Sequence, residues 1–305
     1  MRRMRGIILA LVLSSPAFGS GLRIIADVPP DAVYADSVIQ VTARRLETLI
    51  GVGRPDSLDV FIVATPETFD TLAGGAIPDW GAGVAIPHKH RIVIKSPRIT
   101  PGDKPLGELV AHEYGHIILE SAVRYQDVPR WLNEGLAMYL SAEWSWDDNL
   151  SMARAVIGGG AIPLNDIEYL NRFNAAKAQV AYSESFLAFK YFLDTYGASS
   201  LRILLAEIAS GRPIDAAMTA AIGADTDAFE REFSRFLQGR YNIVSFLFDS
   251  NLFWILLAMV VIVGFIFVRL RRRRRIEQLD DYEALHSTDF DYGETEKPDE
   301  DKPWD

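Results

Sequence analysis

The sequence predicts an α+β fold: a small mixed β-sheet in the N-terminal half, then a helical half that carries the segment His112-Glu113-Tyr114-Gly115-His116, then one C-terminal transmembrane helix. Three observations predict it. Short runs rich in Val and Ile, broken by turn residues, fill the region before Pro101. After Pro101 the apolar residues recur at helical spacing. From Leu252 to Val268 the chain carries no charge at all.

Leu22 to Ala26 is a short β-like run. Asp31 to Ile50 reads as a helix, with Asp31 as N-cap and apolar residues at Val33, Ile39, Val41, Leu46 and Leu49. Leu58 to Ala64 is a continuous apolar run of the kind found in buried strands. Pro66 to Leu72 suits a short helix capped by Thr65. Gly83 to Ile86 and Arg91 to Lys95 read as two strands joined by Pro87-His88-Lys89-His90. Beyond them, Asp103 can cap a helix that has Pro105 in its first turn and runs to about Val123. Helices are expected from Pro129 to about Ala142, over Asn149 to Val156, over Asp166 to Leu170, and over Ser183 to Tyr196 with Gly197 closing it. Two more are expected over Ser199 to Ala209 and Asp225 to Leu237.

The two ends point to export and anchoring. Arginines at positions 2, 3 and 5, an apolar run from Gly6 to Leu13 and the small residues ending at Ala17-Phe18-Gly19 have the layout of a signal peptide over residues 1–19. An uncleaved N-terminal anchor is the alternative, although that apolar run is too short to span a bilayer. The uncharged segment 252–268 would rise roughly 25 Å as a helix, enough to cross a bilayer core. Arg269 and Arg271 to Arg275 follow it at once, which marks the cytoplasmic side. The expected order is therefore an exported domain over residues 20–240, a juxtamembrane segment over 241–251, the span, and a cytoplasmic tail over 269–305.

Charge and cysteine content narrow the function classes. The net charge is -10, and residues 276–305 contain twelve acidic against two basic side chains. That tail has the composition of a disordered segment and is a candidate contact for a cytoplasmic partner. The exported part is mildly acidic, with no basic stripe, so nucleic acid is not an expected partner. The juxtamembrane arginines would attract anionic lipid headgroups. With no cysteine, the domain has no disulfides, and any metal site must use His and carboxylate ligands.

His112 and His116 stand four apart on a predicted helix, so both imidazoles share one face and can reach one metal ion. Glu113 lies beside them, where it can act on a water without ligating. This is the H-E-x-x-H arrangement of zinc hydrolases. A catalytic zinc takes three protein ligands and leaves one position open. The candidate third ligand is Glu134, the acidic residue of Pro129-Arg130-Trp131-Leu132-Asn133-Glu134-Gly135-Leu136-Ala137. On this reading Gly135 lets the second helix approach the first. The alternative is an exposed glutamate favoured by a helix N-terminus.

The pair HEYGH and WLNEGLA resembles the gluzincin metallopeptidases, and most closely their peptidase-MA-like group, over about residues 22 to 240. The resemblance implies zinc as cofactor, His112, His116 and Glu134 as its ligands, and Glu113 as catalytic base. It also implies an edge strand, here Gly83 to Ile86, that pairs with an extended peptide or protein substrate. The thermolysin-related members carry an acid four residues after the ligand glutamate, where this chain has Met138. The aminopeptidase motif Gly-x-Met-Glu-Asn has no match either, since Gly81-Ala82-Gly83-Val84-Ala85 holds no acid. An endopeptidase is the activity this pattern implies. Tyr182 corresponds to tyrosines at a helix start in similar sequences, and reads as a donor to a reacting oxyanion or as a packing residue.

His88 and His90 would share one side of the hairpin, as a second metal pair or as a solvated turn. Trp131 is expected in the core under the ligand helix. Trp80, Trp144 and Trp146 lie around the expected site, the last two on a loop that could line a cleft or rest on a membrane surface; His286 is expected in solvent. Two function classes follow: a zinc hydrolase, acting on peptides or less readily on another amide, and a non-catalytic module that grips a peptide or protein. Glu113 favours the first, because a purely structural zinc has no use for a base.

Overall fold

A β-sheet of order β1-β2-β3-β5-β4 positions everything that follows. The computed structural model describes residues 11–14, 21–74, 82–99, 104–142, 146–241 and 251–285. The chain divides into two compact units, Met1–Ser245 and Phe246–Asp305.

In the first unit, β2 (Leu22–Ala26), β3 (Leu58–Val63) and β5 (Arg91–Lys95) are parallel. β4 (Gly83–Ile86) runs antiparallel to β5 along one edge, and β1 (Leu11–Ser14) antiparallel to β2 along the other. The mixed sheet is therefore as the sequence predicts, with β1 as an added strand inside the expected signal segment. The remainder of that segment, residues 1–10 and 15–19, lies outside the described residues.

Strand periodicity sorts the two faces. Leu58, Val60 and Ile62 are buried on one face, with Ile92 and Ile94 beside them. Phe61, Val63, Val84 and Val93 form a smaller cluster on the other, closed by Phe69 and Leu72 of α2 (Pro66–Ala73). Thr65 caps α2 as expected, its Oγ1 accepting from the Thr68 N–H at 3.2 Å.

α1 (Pro29–Ile50) buries Ala32, Ala35, Ile39, Ala43, Leu46 and Ile50. This stripe runs at three- and four-residue steps, so Val33 and Val41, expected on it, fall outside and are exposed. Asp31 is not the cap either, because that position is Val28. Asp31 is instead fully buried, accepting from Ser96 Oγ at 2.6 Å and Arg98 Nε at 2.5 Å. It ties the start of α1 to the chain leaving β5.

The helical half contains α3 (Leu106–Ala122), α4 (Arg130–Ser141), α5 (Trp146–Ile157), α6 (Ala175–Ala209), α7 (Ile214–Ile222) and α8 (Thr226–Arg240). α3 is preceded by Pro105 as N-cap, not by the expected Asp103, which lies outside the described residues. Trp146 opens α5, where a loop was expected. Pro163 starts a 3-10 segment, Leu164–Arg172, where the short helix was expected. α6 begins at Ala175, eight residues before the expected start, because the Asn174 side chain accepts from the Lys177 N–H at 2.9 Å. Gly197, at φ 78, breaks α6 where the sequence places a helix end. α7 was not expected. It is short, with Pro213 before it and Gly223 after it. Trp131 of α4 is buried and stacks on Phe229 of α8, ring centroids 5.3 Å apart.

The second unit holds α9 (Asn251–Leu285). Among the described residues, no helix is long and apolar enough to cross a membrane. The expected span includes positions 252, 253 and 256, whose side chains lie outside the described residues. His286 and the rest of the tail are outside them as well.

Two carboxylates fasten the segment between α5 and the 3-10 turn. Glu184 of α6, buried, accepts from the Ile162 N–H at 2.8 Å, and Glu230 of α8 accepts from the Leu164 N–H at 3.3 Å. Burial drives the Glu184 carboxyl up from 4.5 to about 8, with the Ile162 N–H pulling it down and the Glu230 charge pushing it up. Between those two pH values the folded state binds more protons than the unfolded one, so Glu184 makes stability fall as pH rises from 4.5 to about 8. Glu184→Gln keeps the acceptor and removes the titration. Thermal melts of this variant between pH 5 and pH 8 should show a flatter dependence than wild type and a higher Tm at the alkaline end; equal slopes would exclude Glu184 as the source.

Candidate metal centre

α3 and α4 are packed as an antiparallel pair, and glycines set how closely their neighbours come. A Cβ built on Gly115 of α3 would lie 3.3 Å from Ala137 Cα and 3.0 Å from Leu140 Cδ1, both on α4. Gly115 therefore makes the contact expected of Gly135. Gly135 has another role: a Cβ there would lie 2.4 Å from the Ser185 carbonyl oxygen and 2.6 Å from Phe189 Cβ. It seats α4 on α6. The turn between α3 and α4 holds two successive residues with positive φ, Arg124 at 53 and Tyr125 at 59. Tyr125 Oη is 2.7 Å from His90 Nε2, which ties this turn to the β4–β5 hairpin.

The approach of the two helices brings His112, His116 and Glu134 together. Their donor atoms all lie within 4.8 Å of one another, and among the described residues this is the one cluster that could hold a metal ion. Glu134 Oε2 is 3.6 Å from His112 Nε2 and 3.8 Å from His116 Nε2. Two donors bound to one tetrahedral zinc at about 2.0–2.1 Å stand about 3.3–3.5 Å apart, so Glu134 is close to that spacing from each imidazole, and the widest separation in the set, up to 4.8 Å, would have to close around an ion. The set is two imidazoles and one carboxylate, three donors of the kind found in open sites rather than closed structural ones.

All three side chains are largely withdrawn from solvent, with Glu134 only 5 % exposed. Burial works to raise the Glu134 carboxyl. The His112 imidazole as donor, then the charges of His116, His112 and Arg130, overcome it and hold the carboxyl down at about 2. The buried carboxylate is thus ionised at neutral pH.

The sequence reading missed three residues around this cluster. Asn133 Oδ1 is 2.6 Å from His116 Nδ1. An amide oxygen only accepts, so Nδ1 is the donor of this bond and Nε2 is the nitrogen that faces Glu134. Glu120 Oε1 stands 3.5 Å from Asn133 Nδ2 and fixes which way the amide points. Arg130 Nε donates to Glu134 Oε1 at 3.0 Å. Of these, Arg130 was legible: it precedes Glu134 by four residues on one helix face.

Glu113 is 8 % exposed and lies against the edge strand. Gly83 pairs with Ile94, so it faces the same side of the sheet as that residue, toward α3. A Cβ on Gly83 would come within 2.7 Å of Glu113 Oε1 and 3.2 Å of its Cδ. Among the described residues, β4 has a strand on one side only. The edge strand and the expected base are therefore in contact.

The family model described as the peptidase MA superfamily matches residues 38–239, from within α1 to the end of α8. The chain belongs to the peptidase MA superfamily. Its first unit accordingly has a peptidase-like fold, and the matched region contains every residue of the metal cluster. No curated protein matches the chain.

Tyr182 is half-buried on α6, one turn before Ser185, whose carbonyl abuts Gly135. His88 is exposed, while His90 is half-buried beside Tyr125. Met138 is buried in the core at 3 % exposure. Trp80, Gly81 and Trp144 lie outside the described residues.

The Gly135 contact has a direct test. Gly135→Ala drives a methyl into backbone of α6, and should lower unfolding stability by about 2–3 kcal/mol. Denaturant unfolding of the variant measures this; a loss near zero would mean α4 and α6 can separate freely.

Proposed function

We propose that this protein is a zinc-dependent peptidase, an endopeptidase, held at the outer face of a membrane by its C-terminal helix. The single observation that carries the reading is the convergence of His112, His116 and Glu134 with Glu113 beside them under an open strand edge.

In this reading His112, His116 and Glu134 hold the ion, which supplies a polarised water as nucleophile and a Lewis acid for the scissile carbonyl. Asn133 keeps the His116 proton on Nδ1, so Nε2 remains a ligand. Glu113 takes the proton released as the C–O bond forms, and hands it to the leaving amine as the C–N bond breaks. Its burial next to Gly83 restricts where its carboxylate can swing. An extended substrate pairs along the open side of β4, which sets the scissile bond alongside Glu113. Tyr182 is the candidate donor to the oxyanion, a role supported by its position on the helix that packs against α4.

The anchor rests on composition and exposure. Trp254, Ile255, Leu257 and the large apolar residues from Met259 to Val268 are all exposed on α9, from 44 % to 68 %. So continuous an apolar surface ahead of an arginine cluster suits lipid. In this reading the peptidase unit lies in the periplasm or outside the cell, with the C-terminus in the cytoplasm. There the acidic tail is open to a partner.

The chemistry is tested on the purified chain with a broad peptide library, with and without chelator. Wild type should bind one zinc and cleave; Glu113→Gln should bind zinc equally and lose at least about 10²-fold in kcat, the range general-base removal produces. A Glu113→Gln protein that cleaves as well as wild type would end the mechanism. Zinc binding with no cleavage of any peptide would favour the non-catalytic module. Gly83→Ala probes the contact between strand and base: kcat should fall while zinc affinity and Tm stay near wild type, since the flexible carboxylate yields before the backbone does. Equal kcat in that variant would show that Glu113 is not held by β4.

A further inference from the structure

The two oxygens of Glu134 have different partners. Oε2 faces both imidazoles, at 3.6 and 3.8 Å from their Nε2 atoms. Oε1 accepts a hydrogen bond from Arg130 Nε at 3.0 Å. Arg130 is itself held in place. It is the first residue of α4, and its backbone N–H donates to Glu168 Oε1 of the 3-10 segment at 2.6 Å. The guanidinium thus starts from a fixed point, one helical turn before the carboxylate on the same face.

We propose that Arg130 is a positioning residue that occupies Oε1 and makes Glu134 a one-oxygen metal ligand. The inference rests on the zinc-site reading above. Carboxylates bind divalent ions through one oxygen or two. A second bond from Oε1 would fill the position that a catalytic zinc must keep open for its substrate. The Arg130 hydrogen bond takes one of the two lone pairs of Oε1 and leaves that oxygen a weaker donor to an ion than Oε2. Planar and always charged, a guanidinium suits this task. The competing account is a helix-stabilising ion pair with no effect on the metal. That account predicts a loss of stability on removing Arg130 and no change in how the metal is coordinated.

Cobalt(II) separates the two accounts without any need for turnover, because its visible absorption reports how many ligands surround it. The full chain is purified in detergent, stripped of metal and titrated with cobalt. Wild type should take up one equivalent, displaced by zinc, with the intense bands of a four-coordinate ion. Arg130→Gln should still bind one equivalent, but its bands should lose most of their intensity and shift as Oε1 joins the ion as a fifth ligand. Arg130→Lys, which keeps a charged donor, should return toward the wild-type bands. Arg130→Met, which keeps the apolar stem, provides a second removal should the Gln variant not fold. Spectra of the Gln or Met variant that superimpose on wild type would overturn the proposal and leave the zinc site standing. A wild-type chain that binds neither cobalt nor zinc would overturn both.

Discussion

A carboxylate buried at the junction of three helices has to be compensated, and the neighbourhood of Glu134 is organised by that requirement. Moving such a charge out of water is unfavourable by several kcal/mol unless partners replace the solvent. Two imidazoles on α3 and an arginine on its own helix do so here. The two imidazoles reach it only because α3 and α4 come close, and this is what the absent side chain of Gly115 permits. The same logic recurs behind it. With no side chain at Gly135, α6 can press against the far side of α4, so the ligand helix is wedged between two others.

The sheet contributes by its edge rather than its centre. The parallel strands β2, β3 and β5 bury one face against the helices and the other partly beneath α2. β4 turns antiparallel at the end of this series and brings Gly83 over Glu113. The base is therefore located by two elements of different kinds. Its own helix sets its distance from the metal ligands, and the strand limits its rotation.

Much of this was legible because it is local. The continuous apolar run at β3 announces a buried strand. Thr65 and Gly197 mark helix ends by chemistry that acts within a few residues. The four-residue step from His112 to His116 fixes two ligands on one face. What escaped depends on partners distant in sequence. Asp31 has the look of a helix cap, yet its partners are Ser96 and Arg98, more than sixty residues on. The close approach expected of Gly135 falls to Gly115 because sequence shows that a helix face is bare, not which neighbour faces it. Asn133 stands next to a ligand and orients a different one across the helix pair, which no spacing rule reveals.

The three proposed ligands come from one helical hairpin, α3 and α4, whereas the sheet requires pairing between β2, β3 and β5 across a much longer stretch of chain. Contacts that close short loops form faster than those that close long ones. The hairpin and its cluster can therefore assemble while strand pairing is still incomplete. Seating of β4 against Glu113 belongs to the slower, long-range stage. The order of folding would separate acquisition of a metal from completion of the groove above it, so that a chain caught midway could carry the ion without yet presenting an ordered edge to a peptide.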